Sequence, residues 1–114
     1  MKEVIGQQGE CRIVKIDALP EMQSRKVERD DKGYIISHSE SGHHHILTGG
    51  EVLERTDKVP AGMRIFYAML DEQAEFVQDA ANPHGGFALP AGLYEFRVSR
   101  EFDPFAEQVR RVAD

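Results

Sequence analysis

Ten glycines and five prolines cut these 114 residues into short pieces. The pieces between them alternate in polarity and show no helical period, so the chain is confined to short strands joined by tight turns. Gly9–Ile16, Tyr34–His38, His43–Leu47, Glu51–Arg55, Ala74–Gln78 and Leu93–Arg100 all read this way. Arg25–Arg29 reads as a charged strand at a sheet edge, where charges discourage pairing with other chains. Met63–Leu70, the most apolar run, suits a central strand. In Gly9–Ile16 both faces are mixed: Arg12, Val14 and Ile16 oppose Cys11, Ile13 and Lys15. The fold class expected is all-β, a single domain over residues 1–114, built as a small barrel or sandwich of about seven strands.

The turns have their own chemistry. Asp30-Asp-Lys-Gly33 is a hairpin turn with a glycine free to take positive φ. Gly49-Gly50 closes the hairpin after Leu47. Val59-Pro-Ala-Gly62 and Leu89-Pro-Ala-Gly92 are near copies, each leading into a strand. The end of the chain has two readings. Asp103-Pro104 can cap a short helix through Val112, with Phe105, Val109 and Val112 on one face. Alternatively a turn leads into an extended segment, Gln108–Val112. At most one short helix is expected, and only there.

Composition excludes several function classes. Hydrophobic residues at 40% and charged residues at 30% describe a globular chain. The single cysteine, Cys11, cannot form an internal bridge, which argues against a secreted disulfide scaffold. Residues 1–10 lack the basic start and apolar run of a leader, and no stretch approaches the roughly 20 apolar residues of a bilayer span. A cytoplasmic location without membrane partners is expected. The formal net charge of −6 argues against nucleic-acid binding. Arg25, Lys26 and Arg29, and again Arg110 and Arg111, are interleaved with Glu28, Asp30, Asp31, Glu107 and Asp114, the pattern of a solvated charged face. The bulk of Met63–Leu70 suggests a homodimer that covers what one small domain leaves open.

Histidines carry the clearest chemical signal. All five lie between His38 and His84, and four fall within His38-Ser-Glu-Ser-Gly-His43-His44-His45. With Ser39–Gly42 as the turn, His38 and His43 face each other across two strands, roughly 5 Å apart at Cβ. Alternation puts His43 and His45 on one face and His44 on the other. His84, in the loop Asn82-Pro-His-Gly-Gly86, can join them from a distance. His38, His43, His45 and His84 are therefore candidate ligands for a divalent transition metal such as Zn, Ni, Mn or Fe. Glu40 is the nearby carboxylate and the candidate general base. Ser37, Ser39 and Ser41 read as turn serines, and Cys11 as a buried strand cysteine.

Gln8-Gly9-Glu10, Glu40-Ser-Gly42-His43-His44-His45, Leu89-Pro-Ala-Gly-Leu-Tyr94, Arg100-Glu-Phe-Asp-Pro104 and Arg110-Arg-Val-Ala-Asp114 together resemble a family of short bacterial and phage-borne proteins. That resemblance implies a β domain associated with phages or mobile elements and supplies no activity. His43-x-His45 with His84 is similar in kind to the cupin superfamily of small β-barrels. The usual downstream glutamate is missing, since Leu47, Thr48, Gly49 and Gly50 stand there. Two functions follow as expectations: a cytoplasmic module that binds an unknown protein partner and carries a histidine metal site, or a metal-dependent enzyme using His43, His45 and His84.

Overall fold

The computed structural model describes residues 2–8, 10–37, 44–78 and 86–99, and ten strands run through them. In chain order they are β1 (Glu3–Gln8), β2 (Cys11–Ile16), β3 (Ser24–Lys26), β4 (Tyr34–Ser37), β5 (His45–Leu47), β6 (Glu51–Arg55), β7 (Met63–Leu70), β8 (Ala74–Gln78), β9 (Phe87–Leu89) and β10 (Gly92–Ser99). A six-stranded sheet takes the order β1-β2-β10-β7-β6-β3, and a four-stranded sheet the order β4-β5-β8-β9. Every pairing between them is antiparallel. The architecture is a sandwich of two open sheets. The barrel alternative, and with it the closed form implied by the cupin likeness, is not realised.

The main core lies between the sheets. Cys11, Ile13, Val52, Phe66, Ala68, Leu70, Tyr94, Phe96 and Val98 come from the inner face of the large sheet, and Tyr34, Ile36, Leu47, Ala74, Phe76 and Leu89 from the small one. Period-two alternation explains the selection, since Tyr94, Phe96 and Val98 share one face of β10. The outer face of the large sheet also buries apolar residues. Val14, Ile16, Ile65 and Tyr67 form a second cluster under Leu19, Met22, Val59 and Leu93. Most of that cover comes from the segments joining β2 to β3 and β6 to β7, which are tied to each other by Thr56 N–H···O Gln23 and Gln23 N–H···Oδ1 Asp57. Two buried faces explain why β2 failed to alternate cleanly.

Met63–Leu70 is a central strand, hydrogen-bonded to β10 and β6, and its side chains are buried or half-buried within this one chain. Val4 on the edge strand β1 is the one large apolar side chain exposed among the described residues. The two Pro-Ala-Gly turns feed β7 and β10, which pair with each other, Gly92 against Leu70 and Ser99 against Met63. The turns therefore sit at opposite ends of one ladder.

Several expectations need correction. Strands β1 and β9 were not expected; β1 holds only Val4 and Ile5 as large apolar residues, and β9 is three residues long. The charged edge strand is shorter than Arg25–Arg29, because after Lys26 the chain turns away to the other sheet. Asp30–Gly33 is a tight turn, but it connects the two sheets and closes no hairpin, while Gly49-Gly50 ends the β4–β5 pair and leads the chain into the large sheet. Asp30 Oδ1 accepts the N–H groups of Lys32 and Gly33, and Gly33 takes φ 139° with no room for a Cβ beside the Leu47 carbonyl. The C-terminal helix, its extended rival and the arginines there lie outside the described residues.

Candidate functional site

The register of β4 on β5 starts as the sequence suggests. Tyr34 opposes Leu47 and Ile35 opposes Ile46. A shift then intervenes, and Ser37 opposes His45. One extra residue on β4 is absorbed before the turn, so the straight register that set His38 against His43 is broken at its last described pair. Next across the small sheet, His45 opposes Gln78 of β8, and Phe76 opposes Phe87 of β9. The ends of β4 and β8 and the start of β5 thus lie side by side. Residues 38–43 and 79–85 both depart from this end of the sandwich.

His45 is buried there and stacks on Phe76 of the main core, with ring centroids 5.9 Å apart. Its Nε2 lies 3.8 Å from Oε2 of Glu10, which sits in the turn between β1 and β2. The other carboxylate oxygen of Glu10 accepts the Ser37 hydroxyl hydrogen bond. The backbone carbonyl of Glu10 accepts Ser99 N–H at 3.1 Å, which ties the turn to the end of β10. Burial lowers the His45 pKa below its ordinary 6.5, against an opposing pull from Glu10. The ring is therefore neutral over a wider range of pH than a free histidine. His44, expected on the opposite face, is half-buried.

This cluster does not form a nucleophilic triad. Ser37 is buried and its hydroxyl donates to the Glu10 carboxylate, which is not the histidine-to-serine relay of a triad. Burial, aided by Glu10, pushes the Cys11 thiol up to about 12, so it stays protonated at neutral pH. Among the described residues no group of three or more His, Cys, Asp or Glu side chains converges in a metal-holding arrangement. His38, Glu40, His43 and His84 lie outside the described residues. Of the candidate ligands, His45 is the one placed. Glu10 is a neighbour that the sequence reading missed, although the Gln8-Gly9-Glu10 motif held it.

The same reading also missed a second constellation. On the inner face of the large sheet, β6 turns from Val52 to Glu54 and β7 from Phe66 to Arg64, and Arg25 of β3 stands opposite Glu54. Glu54 is buried and grips both arginines. Arg25 donates from Nε and Nη2 to Oε1 at 3.1 and 2.6 Å, while Arg64 donates from Nε to Oε2 at 2.7 Å and from Nη2 to Oε1 at 2.6 Å. The Arg64 hydrogen bond, opposed by burial and helped by Arg25, holds Glu54 below the usual carboxylate range. Arg64 also lies over the Phe66 ring at 5.0 Å. A cleft of about 450 Å³ opens here.

A family profile described as "Domain of unknown function (DUF8820)" matches residues 7–99, which takes in Glu10, Ser37, His45, Glu54 and Arg64. The chain belongs to the DUF8820 family. The profile runs from the end of β1 through β10, and the Arg100–Pro104 and Arg110–Asp114 elements fall beyond it. No curated protein matches the chain, and no solved structure matches it. No helix among the described residues is long and apolar enough to cross a membrane.

Proposed function

We propose that this DUF8820 domain is a small cytoplasmic binding module whose histidine-bearing end takes a divalent transition metal. One observation carries the reading. Strand pairing sets Ser37, His45 and Gln78 side by side, so the two segments that hold His38, His43 and His84 both attach where His45 meets Glu10. His45 supplies a neutral imidazole, the form that binds metal. Glu10 offers a carboxylate beside it, and mixed His/carboxylate sets suit Zn, Mn and Fe. The metal would fasten residues 38–43 and 79–85 to the sandwich and present them to a protein partner of phage or host origin. The rival reading, a metal-dependent enzyme with Glu40 as general base, asks for a substrate cleft at this end.

Protein purified without an affinity tag should carry close to one equivalent of metal by elemental analysis. Replacing His43 and His45 together should abolish stoichiometric binding, Glu10→Gln should weaken it about tenfold or more, and His44→Ala should leave it intact. Metal-free protein that gains no stoichiometric metal on titration, or equal losses from all three histidines, would reduce the cluster to an adhesive surface.

A further inference from the structure

We propose that the cleft over Arg25, Glu54 and Arg64 binds a small organic anion, a phosphate or carboxylate head on an apolar body. Its lining includes three arginines, Arg25, Arg29 and Arg64, together with Glu28, Asp30 and Glu54. The anions differ in what they leave open. Glu54 is saturated by two guanidiniums, and Asp30 spends Oδ1 on two backbone N–H groups.

The cations have donors to spare. Each guanidinium has five N–H donors. Arg25 and Arg64 use Nε and Nη2 on Glu54, and the Nη1 of each makes no hydrogen bond among the described residues. The Arg25 side chain is 65% exposed and that of Arg64 27%. Glu54 thus fixes two forks at one place with their outer nitrogens available, and Arg forks match planar or tetrahedral oxyanions. Between them the lining is apolar: Val27, Ile35 and Phe66.

The size of the site favours a small molecule. A volume of about 450 Å³ falls at the lower end of ligand pockets. The adjoining edge strand β3 is only three residues long, which leaves little edge for an added peptide strand.

Phenyl phosphate is the probe, with inorganic phosphate, benzyl alcohol and a glutamate-rich peptide beside it, titrated into the ¹⁵N-labelled full chain by two-dimensional NMR. Phenyl phosphate should give saturable shifts centred on residues 25–35 and 54–66, with affinity at least about fivefold above inorganic phosphate. Benzyl alcohol should not saturate. The R25Q variant changes an exposed side chain and should keep its dispersed spectrum while losing affinity about tenfold. No saturable shift by about 10 mM, shifts centred elsewhere, or unchanged affinity in the variant would overturn the proposal. Saturation by the peptide without phenyl phosphate binding would overturn it in favour of a protein partner. None of these readouts involves the histidines, so this proposal and the metal reading stand or fall separately.

Discussion

The large sheet buries both of its faces, and it does so by different means. Its inner face meets a second sheet, and its core there is aromatic: Phe66, Tyr94 and Phe96 are fully enclosed. Its outer face meets two loops, and Leu19, Met22 and Val59, which cover it, are only half-buried. Each face also encloses one glutamate. Glu54, on the inner side, is answered by two arginines and opens on a cleft. Glu95, on the outer side, is answered by Arg97 at 2.7 Å and by the Tyr67 hydroxyl at 2.8 Å. Arg55, whose charge acts on Tyr67, pairs with Asp57 at 3.1 Å, and Asp57 receives Gln23 N–H. The chain of contacts runs from the sheet into the covering loops. Similar buried carboxylates therefore do different work: one pins a loop cover, and the other prepares two cations.

Substitutions on the two faces should separate them. Phe96→Ala on the inner face leaves a void that two packed sheets cannot close, and should cost roughly 3–5 kcal/mol by urea denaturation. Glu54→Gln leaves two guanidiniums without their anion. Because Arg25 is largely solvated, the loss should be smaller, about 1–2 kcal/mol. Tyr67→Phe removes one donor from Glu95 and one link to the loops, and should cost about 1–2 kcal/mol, with faster amide exchange at Gln23 and Thr56. Leu19→Ala should cost about 1 kcal/mol or less, since loops settle onto a smaller side chain. A Leu19→Ala loss as large as that of Phe96→Ala would erase the distinction between the faces.

Acid sharpens the comparison further. At Glu95 burial pushes the pKa up, but the Arg97 and Tyr67 hydrogen bonds outweigh it and hold it below 4.5. Glu54 is also held below 4.5, chiefly by Arg64. For a carboxylate depressed in the folded state, the stabilisation is present above the unfolded value and disappears as pH falls through the folded one. The urea midpoint should therefore decline below pH 4.5, and the Glu54→Gln protein should show a shallower decline. Identical acid profiles for the two proteins would mean that the Arg25–Glu54–Arg64 unit contributes nothing to stability.

Local sequence wrote most of the strands. Glu51–Arg55, Met63–Leu70 and Ala74–Gln78 stand where alternation, aromatic content and bounding turn residues put them, because those signals act over neighbouring residues. The Arg25–Lys26 edge strand was legible for the same reason. The candidate site was legible only in part. His45 was singled out from its spacing and is found at the end of the small sheet, whereas Glu10 and Ser37 reached it through β2 and β4, at separations of 35 and 8 residues that no periodicity reports.

What the tertiary structure alone decided was which turns close hairpins, which strands share a sheet and what lies beside the leftover polar residues. Asp30–Gly33 has hairpin chemistry, yet it carries the chain between sheets, because a turn fixes only the local direction and pairing is settled by which faces can be buried together. Arg25 read as a solvated charge, and Arg64 as part of an apolar central strand, for a related reason. Sequence cannot show which residues strand pairing brings together, and it is the pairing of β3, β6 and β7 that sets two arginines around one buried glutamate.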